Sequence, residues 1–156
     1  MTLDPAEELR PAGVVRDQDR LGLPLPTMVQ KPSKMGGTQV YLKEGEVFTL
    51  EDMLKATLIA SANDAAYAIA EFISGSAERF VELMNQNAKA LNMTYTKYNF
   101  VHGLPPSEGQ QEDISSCHDL AILARQLLKH PKILEWTSTK REGFRNGKFI
   151  MYNSNK

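Results

Sequence analysis

The sequence predicts an α+β chain, and three observations predict it. Apolar residues recur at helical spacing through most of the stretch from Thr49 to Trp136. Near the end, Asn146-Gly147 separates two short segments that read as the arms of a hairpin. At the start, Pro5, Pro11, Pro24, Pro26 and Pro32 make up five of the eight prolines, a density that denies long regular structure. Helices are therefore expected in the middle of the chain and strands at its end.

In chain order, residues 1–32 read as loop, with a short helix at Glu7 to Arg10 and a short strand near Met28 and Val29. Gly36-Gly37 marks a turn, and Thr38 to Leu42 alternates weakly, as a short strand or an extended segment would. Thr49 is placed to cap a helix: its hydroxyl can accept from a free amide, and Glu51 and Asp52 suit the positive end of the helix dipole. Met53, Leu54, Thr57 and Leu58 are expected to face the core of that helix. A second helix runs from Ala65 to Ile73, is rich in alanine, and is ended by Gly75. Ser76 caps a third through about Leu91, with Phe80, Leu83, Met84, Ala88 and Leu91 on one face.

Thr94 to Phe100 reads as extended, and His102 to Asp113, with Gly103, Pro105, Pro106 and Gly109, as loop. Ser115 or Ser116 caps a fourth helix to about Lys129, with Leu120, Leu123, Ala124, Leu127 and Leu128 inward. Pro131 opens a short helical turn through Trp136. Ser138 to Phe144 and Lys148 to Tyr152 then form the hairpin, whose Asn-Gly centre suits the two positive φ values of a type I′ turn.

Composition narrows the function classes. A length of 156 residues suffices for one domain with a real core. The net charge of −1, with Lys and Arg scattered, gives no basis for a nucleic-acid partner. No run approaches a bilayer-spanning length, so no membrane segment is expected in this chain, and Met1 to Arg20 lacks the apolar stretch of a signal peptide. Cys117, the single cysteine, excludes an internal disulfide and reads as a structural thiol at a helix start. His102, His118 and His130 are scattered without the i, i+4 spacing of a metal site, so no metal or cofactor is expected. A Ser-His-Asp reading of His102 with Asp119 lacks a Gly-x-Ser-x-Gly elbow.

The most informative feature is Ser61-Ala62-Asn63-Asp64, a polar knot between two apolar helical stretches. Groups that must find partners when buried make such a knot either a helix junction or a site. As a junction, Ser61 closes one helix and Asn63 or Asp64 caps the next.

The context of the knot carries a resemblance. Met35-Gly36-Gly37-Thr38-Gln39-Val40-Tyr41-Leu42-Lys43-Glu44-Gly45-Glu46 precedes it. Thr49-Leu50-Glu51-Asp52-Met53-Leu54-Lys55 and Leu58-Ile59-Ala60 lead into it, and His102-Gly103-Leu104 and Asp119-Leu120-Ala121-Ile122-Leu123-Ala124 follow. In this order the chain resembles the low-molecular-mass penicillin-binding proteins, the serine-type D-alanyl-D-alanine carboxypeptidases, from about Met35 onward. The resemblance implies a partial β-lactamase/DD-peptidase-like fold, a helical cluster with part of an antiparallel sheet. It makes residues 1–156 a partial catalytic domain, with 1–32 loop-rich and poorly assigned.

The family carries Ser-x-x-Lys, Ser-x-Asn and Lys-Thr-Gly elements. Here Ser61 and Asn63 match Ser-x-Asn, with Ala62 where glycine is common. No serine is followed three residues later by lysine, and there is no Lys-Thr-Gly. Met1-Thr2 looks like residues that follow the family's catalytic lysine, and Tyr152-Asn153-Ser154-Asn155 like those before Lys-Thr-Gly. The expectation is an internal fragment, inactive alone, marginally stable and prone to aggregate.

The resemblance implies roles as well. Ser61 would relay a proton between nucleophile, base and leaving amine. Asn63 would hold the substrate's peptide carbonyl and orient the lysine. Asp64 stays a cap, and His102 a structural hydrogen-bonding residue. The substrate would be a peptidoglycan stem peptide ending in D-Ala-D-Ala, the inhibitors β-lactams, and the location periplasmic or otherwise extracytoplasmic. A non-catalytic peptidoglycan- or protein-binding relative is the alternative. A serine β-lactamase is disfavoured by the Met-Gly-Gly and His-Gly-Leu landmarks.

Overall fold

A computed structural model describes residues 24–26, as backbone, and residues 36–153. The helix expected at Glu7 to Arg10, the strand near Met28 and the Ser154-Asn155 end lie outside the described residues. Strand β1 (Pro24–Pro26) pairs antiparallel with β2 (Val47–Thr49), Leu25 opposite Phe48. The sequence reading had this stretch as loop. Proline is tolerated in a two-stranded pair because one side of the strand has no ladder to join.

Helix α1 (Leu50–Ala60) starts at a full capping box. Thr49 Oγ1 accepts from the Asp52 N–H at 3.0 Å, and the Asp52 carboxylate accepts from the Thr49 N–H at 3.1 Å. Its buried stripe is Leu50, Met53, Ala56 and Ile59, one step round from the face expected: Met53 is shared, whereas Thr57 and Leu58 are half-buried. The i, i+3 row wins because α1 is covered from several sides, by helix α2 (Asn63–Ser74), by helix α5 (Pro131–Ser138) and by the hairpin.

Helix α2 begins two residues earlier than expected, with Asn63 and Asp64 inside it and Ala62 at the N-cap without a side-chain cap bond. Gly75, at φ 78°, ends it in the left-handed conformation. Helix α3 (Ala77–Ala90) follows its Ser76 cap and packs on α2. Residues 94–100 form turns and a single bridge, Lys97 to Ile114, rather than a strand.

Helix α4 (Cys117–Leu127) is capped by Ser116. The face expected inward is largely open, with Leu120 49%, Leu127 42% and Leu128 56% exposed. The physical reason is that α4 meets the other described helices and strands only sparsely, and is tethered by polar bonds at its start instead.

Pro131 stands at the start of α5, which continues to Ser138, so the hairpin begins later than expected: β3 (Arg141–Phe144) and β4 (Phe149–Tyr152). Asn146 and Gly147 both have positive φ, 54° and 80°, and the Lys148 N–H donates to the Arg145 carbonyl, as a type I′ turn requires. The hairpin lays Phe144 and Met151 against α1, and Phe144 stacks on Phe48 of β2 at 4.6 Å between ring centroids. The result is a helical cluster carrying two separate antiparallel pairs, an α+β architecture whose core joins α1, α2, residues 40–42 and the hairpin.

Candidate functional site

The polar knot is a corner that exposes Ser61 and buries Ala62, Asn63 and Asp64. α1 ends at Ser61, which takes φ 54°, ψ 41°. The amides of Ser61 and Ala62 both point back at the Ala56 carbonyl. A left-handed conformation in a residue with a Cβ costs of order 1 kcal/mol and persists only when its surroundings fix it. Here the fixing comes from both sides: Ala62 is buried behind it, and α2 starts two residues on. The corner leaves the Ser61 side chain exposed, and no described residue bonds its hydroxyl.

Asn63 is only 8% exposed, and it is anchored twice. Its backbone N–H donates to the Thr38 carbonyl at 2.9 Å, and its Nδ2 donates to the Gly36 carbonyl at 3.2 Å. A carbonyl partner requires a donor, which fixes the orientation of the carboxamide. The anchor occupies one of two Nδ2 hydrogens, and no described residue donates to Oδ1. A group with one tied corner and a free donor and acceptor is suited to reading a peptide.

The approach to Asn63 is made close by Gly37, at φ 70°. A Cβ there would stand 2.6 Å from Asn63 Nδ2 and 2.9 Å from a Leu104 methyl. Thus Gly36-Gly37 and Leu104 close one wall beside the carboxamide, and the His102-Gly103-Leu104 landmark is part of the same neighbourhood.

Asp64 is not a cap. It is fully buried at the second position of α2, and its carboxylate accepts from Val40 N–H at 3.1 Å, Leu42 N–H at 3.0 Å and Ala65 N–H at 3.0 Å. It stands in the first turn of α2, where the helix's free amides point. Of the two forms expected for Thr38 to Leu42, the short strand is not formed among the described residues. Among the described residues, 38–42 pair with no strand, and the Asp64 side chain meets the amides of Val40 and Leu42 instead.

His102 sits in its loop stacked on Phe100, with rings 5.6 Å apart, and its Nδ1 accepts from the Leu104 N–H at 3.1 Å. Burial pushes its pKa down from the usual imidazole value, partly opposed by Asp113. A neutral ring with Nδ1 as acceptor fits that bond. His102 is not brought to Asp119, which serves elsewhere: its Oδ2 accepts from the Tyr95 N–H and the Thr96 hydroxyl, both at 2.8 Å. Cys117 is exposed at the start of α4.

Sequence reasoning singles out Ser61 and Asn63 but not the backbone carbonyls that anchor Asn63, those of Gly36 and Thr38, nor the bracing role of Asp64. The signal for Asp64 was present as a carboxylate directly followed by Ala65 and Ala66, a place with no room for a solvated side chain.

Comparison with known proteins then bears on these residues. The profile of the D-alanyl-D-alanine carboxypeptidase family matches residues 23–156. The chain is 42% identical over 127 residues to the D-alanyl-D-alanine carboxypeptidase DacF of Bacillus subtilis, covering 80% of this chain and 32% of that protein. The chain therefore spans about a third of the length of this curated relative. Among solved structures, a peptidoglycan synthesis regulatory factor from Streptococcus pneumoniae superposes with TM-score 0.76 at 29% identity, over 86% of this chain and 41% of that one. Penicillin-binding protein D2 from Listeria monocytogenes, in its ampicillin-bound form, superposes with TM-score 0.69 at 25% identity, over 86% of this chain and 52% of that one.

Proposed function

The chain belongs to the D-alanyl-D-alanine carboxypeptidase family, and from that premise we propose that it supplies the Ser-x-Asn wall of a serine-type carboxypeptidase site, with Ser61 and Asn63 as the working residues. The observation that carries the reading is their pairing: an exposed hydroxyl with no partner among the described residues, held in a strained corner, beside a carboxamide tied by one N–H. Strain of this kind is a pointer to function when the surroundings impose it.

The proposed reaction is acyl transfer on a peptidoglycan stem peptide ending in D-Ala-D-Ala. A serine hydroxyl adds to the carbonyl of the penultimate D-Ala. The peptide bond breaks, D-Ala leaves with the proton, and water later cleaves the ester. Ser61, which can donate and accept, relays the proton to the leaving amine. Asn63 donates its free N–H to the substrate's peptide carbonyl. β-Lactams would acylate the same nucleophile, and the site would work outside the cytoplasmic membrane.

This chain contains neither Ser-x-x-Lys nor Lys-Thr-Gly, so it is proposed to form no acyl-enzyme by itself. The same absence favours, as a second reading, a non-catalytic relative that binds peptidoglycan or a protein.

Two measurements test the proposal. A fluorescent penicillin followed by mass spectrometry should leave no adduct on this chain; a stoichiometric adduct would overturn the motif assignment. An acetylated peptide ending in D-Ala-D-Ala, titrated into isotope-labelled chain, should shift resonances at Ser61, Asn63 and Gly37, and Asn63→Ala should abolish the shifts. Shifts elsewhere, or none, would remove Ser61 and Asn63 from the site. In-frame Ser-x-x-Lys and Lys-Thr-Gly in the flanking DNA would favour the enzyme over the binder.

A further inference from the structure

We propose that Arg145 is a positioning residue for the Ser61–Asn63 element, acting through residues 36–42, whose carbonyls it grips while Asp64 takes their amides. The proposal rests on the reading above only for what that element does; the grip itself is geometry.

Among the described residues the strap of residues 36–42 has no neighbouring strand, yet both its amides and its carbonyls find side-chain partners. The amides of Val40 and Leu42 point at Asp64. The carbonyls of Val40 and Tyr41 point at Arg145, accepting from Nη1 at 2.6 Å and Nη2 at 2.8 Å. The same guanidinium holds Glu46 with two bonds of 2.7 Å, from Nε and Nη2. It lies over the rings of Phe48 and Phe144, at 5.5 and 5.0 Å from their centroids.

One planar fork thus reaches two carbonyls and a carboxylate at once, which the single ammonium of lysine cannot reproduce. The strap needs such a grip because Tyr41 stands at φ 55°, a costly conformation for a bulky residue.

From the strap the influence runs to the site. The Thr38 carbonyl accepts from the Asn63 N–H, and the Gly36 carbonyl from Asn63 Nδ2. Among the described bonds Arg145 makes none to Ser61 or Asn63. It sits at the hairpin turn, so the placement of Asn63 depends on a residue 82 positions away in sequence (145 − 63). Glu46 completes the assembly: its bonds to Arg145 hold its pKa below the usual carboxylate value.

The test compares Arg145→Lys with Phe149→Leu, a hairpin substitution that loosens the shared core but removes none of the described hydrogen bonds to the strap, in isotope-labelled chain. Arg145→Lys should keep the dispersed spectrum of the folded chain. It should speed amide exchange at Val40, Leu42 and Asn63 by about tenfold relative to the rest of the chain and shift the Asn63 side-chain resonances. Phe149→Leu should speed exchange without singling out those positions. If Arg145→Lys changes exchange evenly, or no more at Asn63 than Phe149→Leu does, the grip is ordinary structural glue and the proposal falls. Arg145→Ala is the stronger variant, and if it does not fold Arg145→Lys decides alone. Failure of the D-Ala-D-Ala peptide to bind the unsubstituted chain would count against the functional reading and leave the exchange result standing.

Discussion

Two helices of this molecule begin with a buried aspartate that reaches back to an earlier segment, and the two do so differently. Asp64, in the first turn of α2, takes the amides of Val40 and Leu42 on separate oxygens, and both sit in the main core. Asp119, in the first turn of α4, takes Tyr95 and Thr96 on one oxygen. Its other oxygen is buried and has only a long, weak contact among the described residues, with the exposed His118 Nδ1 at 3.5 Å.

Ala62, Ala65 and Ile59, near Asp64 in the core, are all sealed, whereas α4 beyond Asp119 leaves Leu120, Leu127 and Leu128 open along its length. The same residue type at the same end of a helix is thus a fully satisfied brace in one place and a tether in the other. Satisfaction on both oxygens, together with apolar cover, separates them.

The comparison breaks most directly by removing each carboxylate. Asp64→Ala leaves two buried amides of the strap without partners, so urea unfolding should lose at least about 3 kcal/mol or the chain should fail to fold cooperatively. Asp119→Ala should cost clearly less in the same measurement, because α4 is thinly packed. Equal losses would refute the distinction drawn here.

A local cap calibrates the scale. Thr49→Ala removes a bond of the same kind spanning three residues rather than twenty-odd, and should cost about 1 kcal/mol by urea unfolding.

The strap offers a smaller effect of opposite sign. Tyr41 is 66% exposed and strained, so Tyr41→Gly should raise stability by roughly 0.5 kcal/mol in thermal or urea unfolding. A loss would mean that its exposed ring has a partner worth finding.

The smallest effect is with pH. Burial pushes the Asp119 pKa up, but the bonds from Thr96, Tyr95, His118 and Ser116 outweigh it and leave it lowered. The folded chain then binds this proton less readily than the unfolded one. The contribution is present above the ordinary carboxylate value and is lost as pH falls through the lowered folded value. Exchange at the Tyr95 amide, followed from pH 6 to about pH 3, should show α4's tether loosening at the acid end. A protection that stays flat across that range would place the bond's strength elsewhere.

What was legible in the sequence was local. Thr49, Ser76 and Ser116 announced helix starts, Gly75 an end, and Asn146-Gly147 a turn, because each acts on backbone within a few residues. Ser61 and Asn63 were legible through a short motif in its context. What escaped were bonds from a side chain to distant backbone. Nothing in the spacing of residues 38–42 says that Asp64 and Arg145 will stand in for neighbouring strands, and Asp64 was read as a cap because that is its usual local use. The open face of α4 escaped for a related reason: periodicity tells which side is apolar, not what covers it.

Gly37 has no side chain and takes part in no chemistry, yet any Cβ there would land on the Asn63 carboxamide. Under selection for activity, this position would tolerate substitution as poorly as the working residues beside it. A mutational map that ranks positions by loss would then flag Gly37 without its being a reactive group: its contribution is empty space, and inheritance must preserve that space as strictly as it preserves an atom.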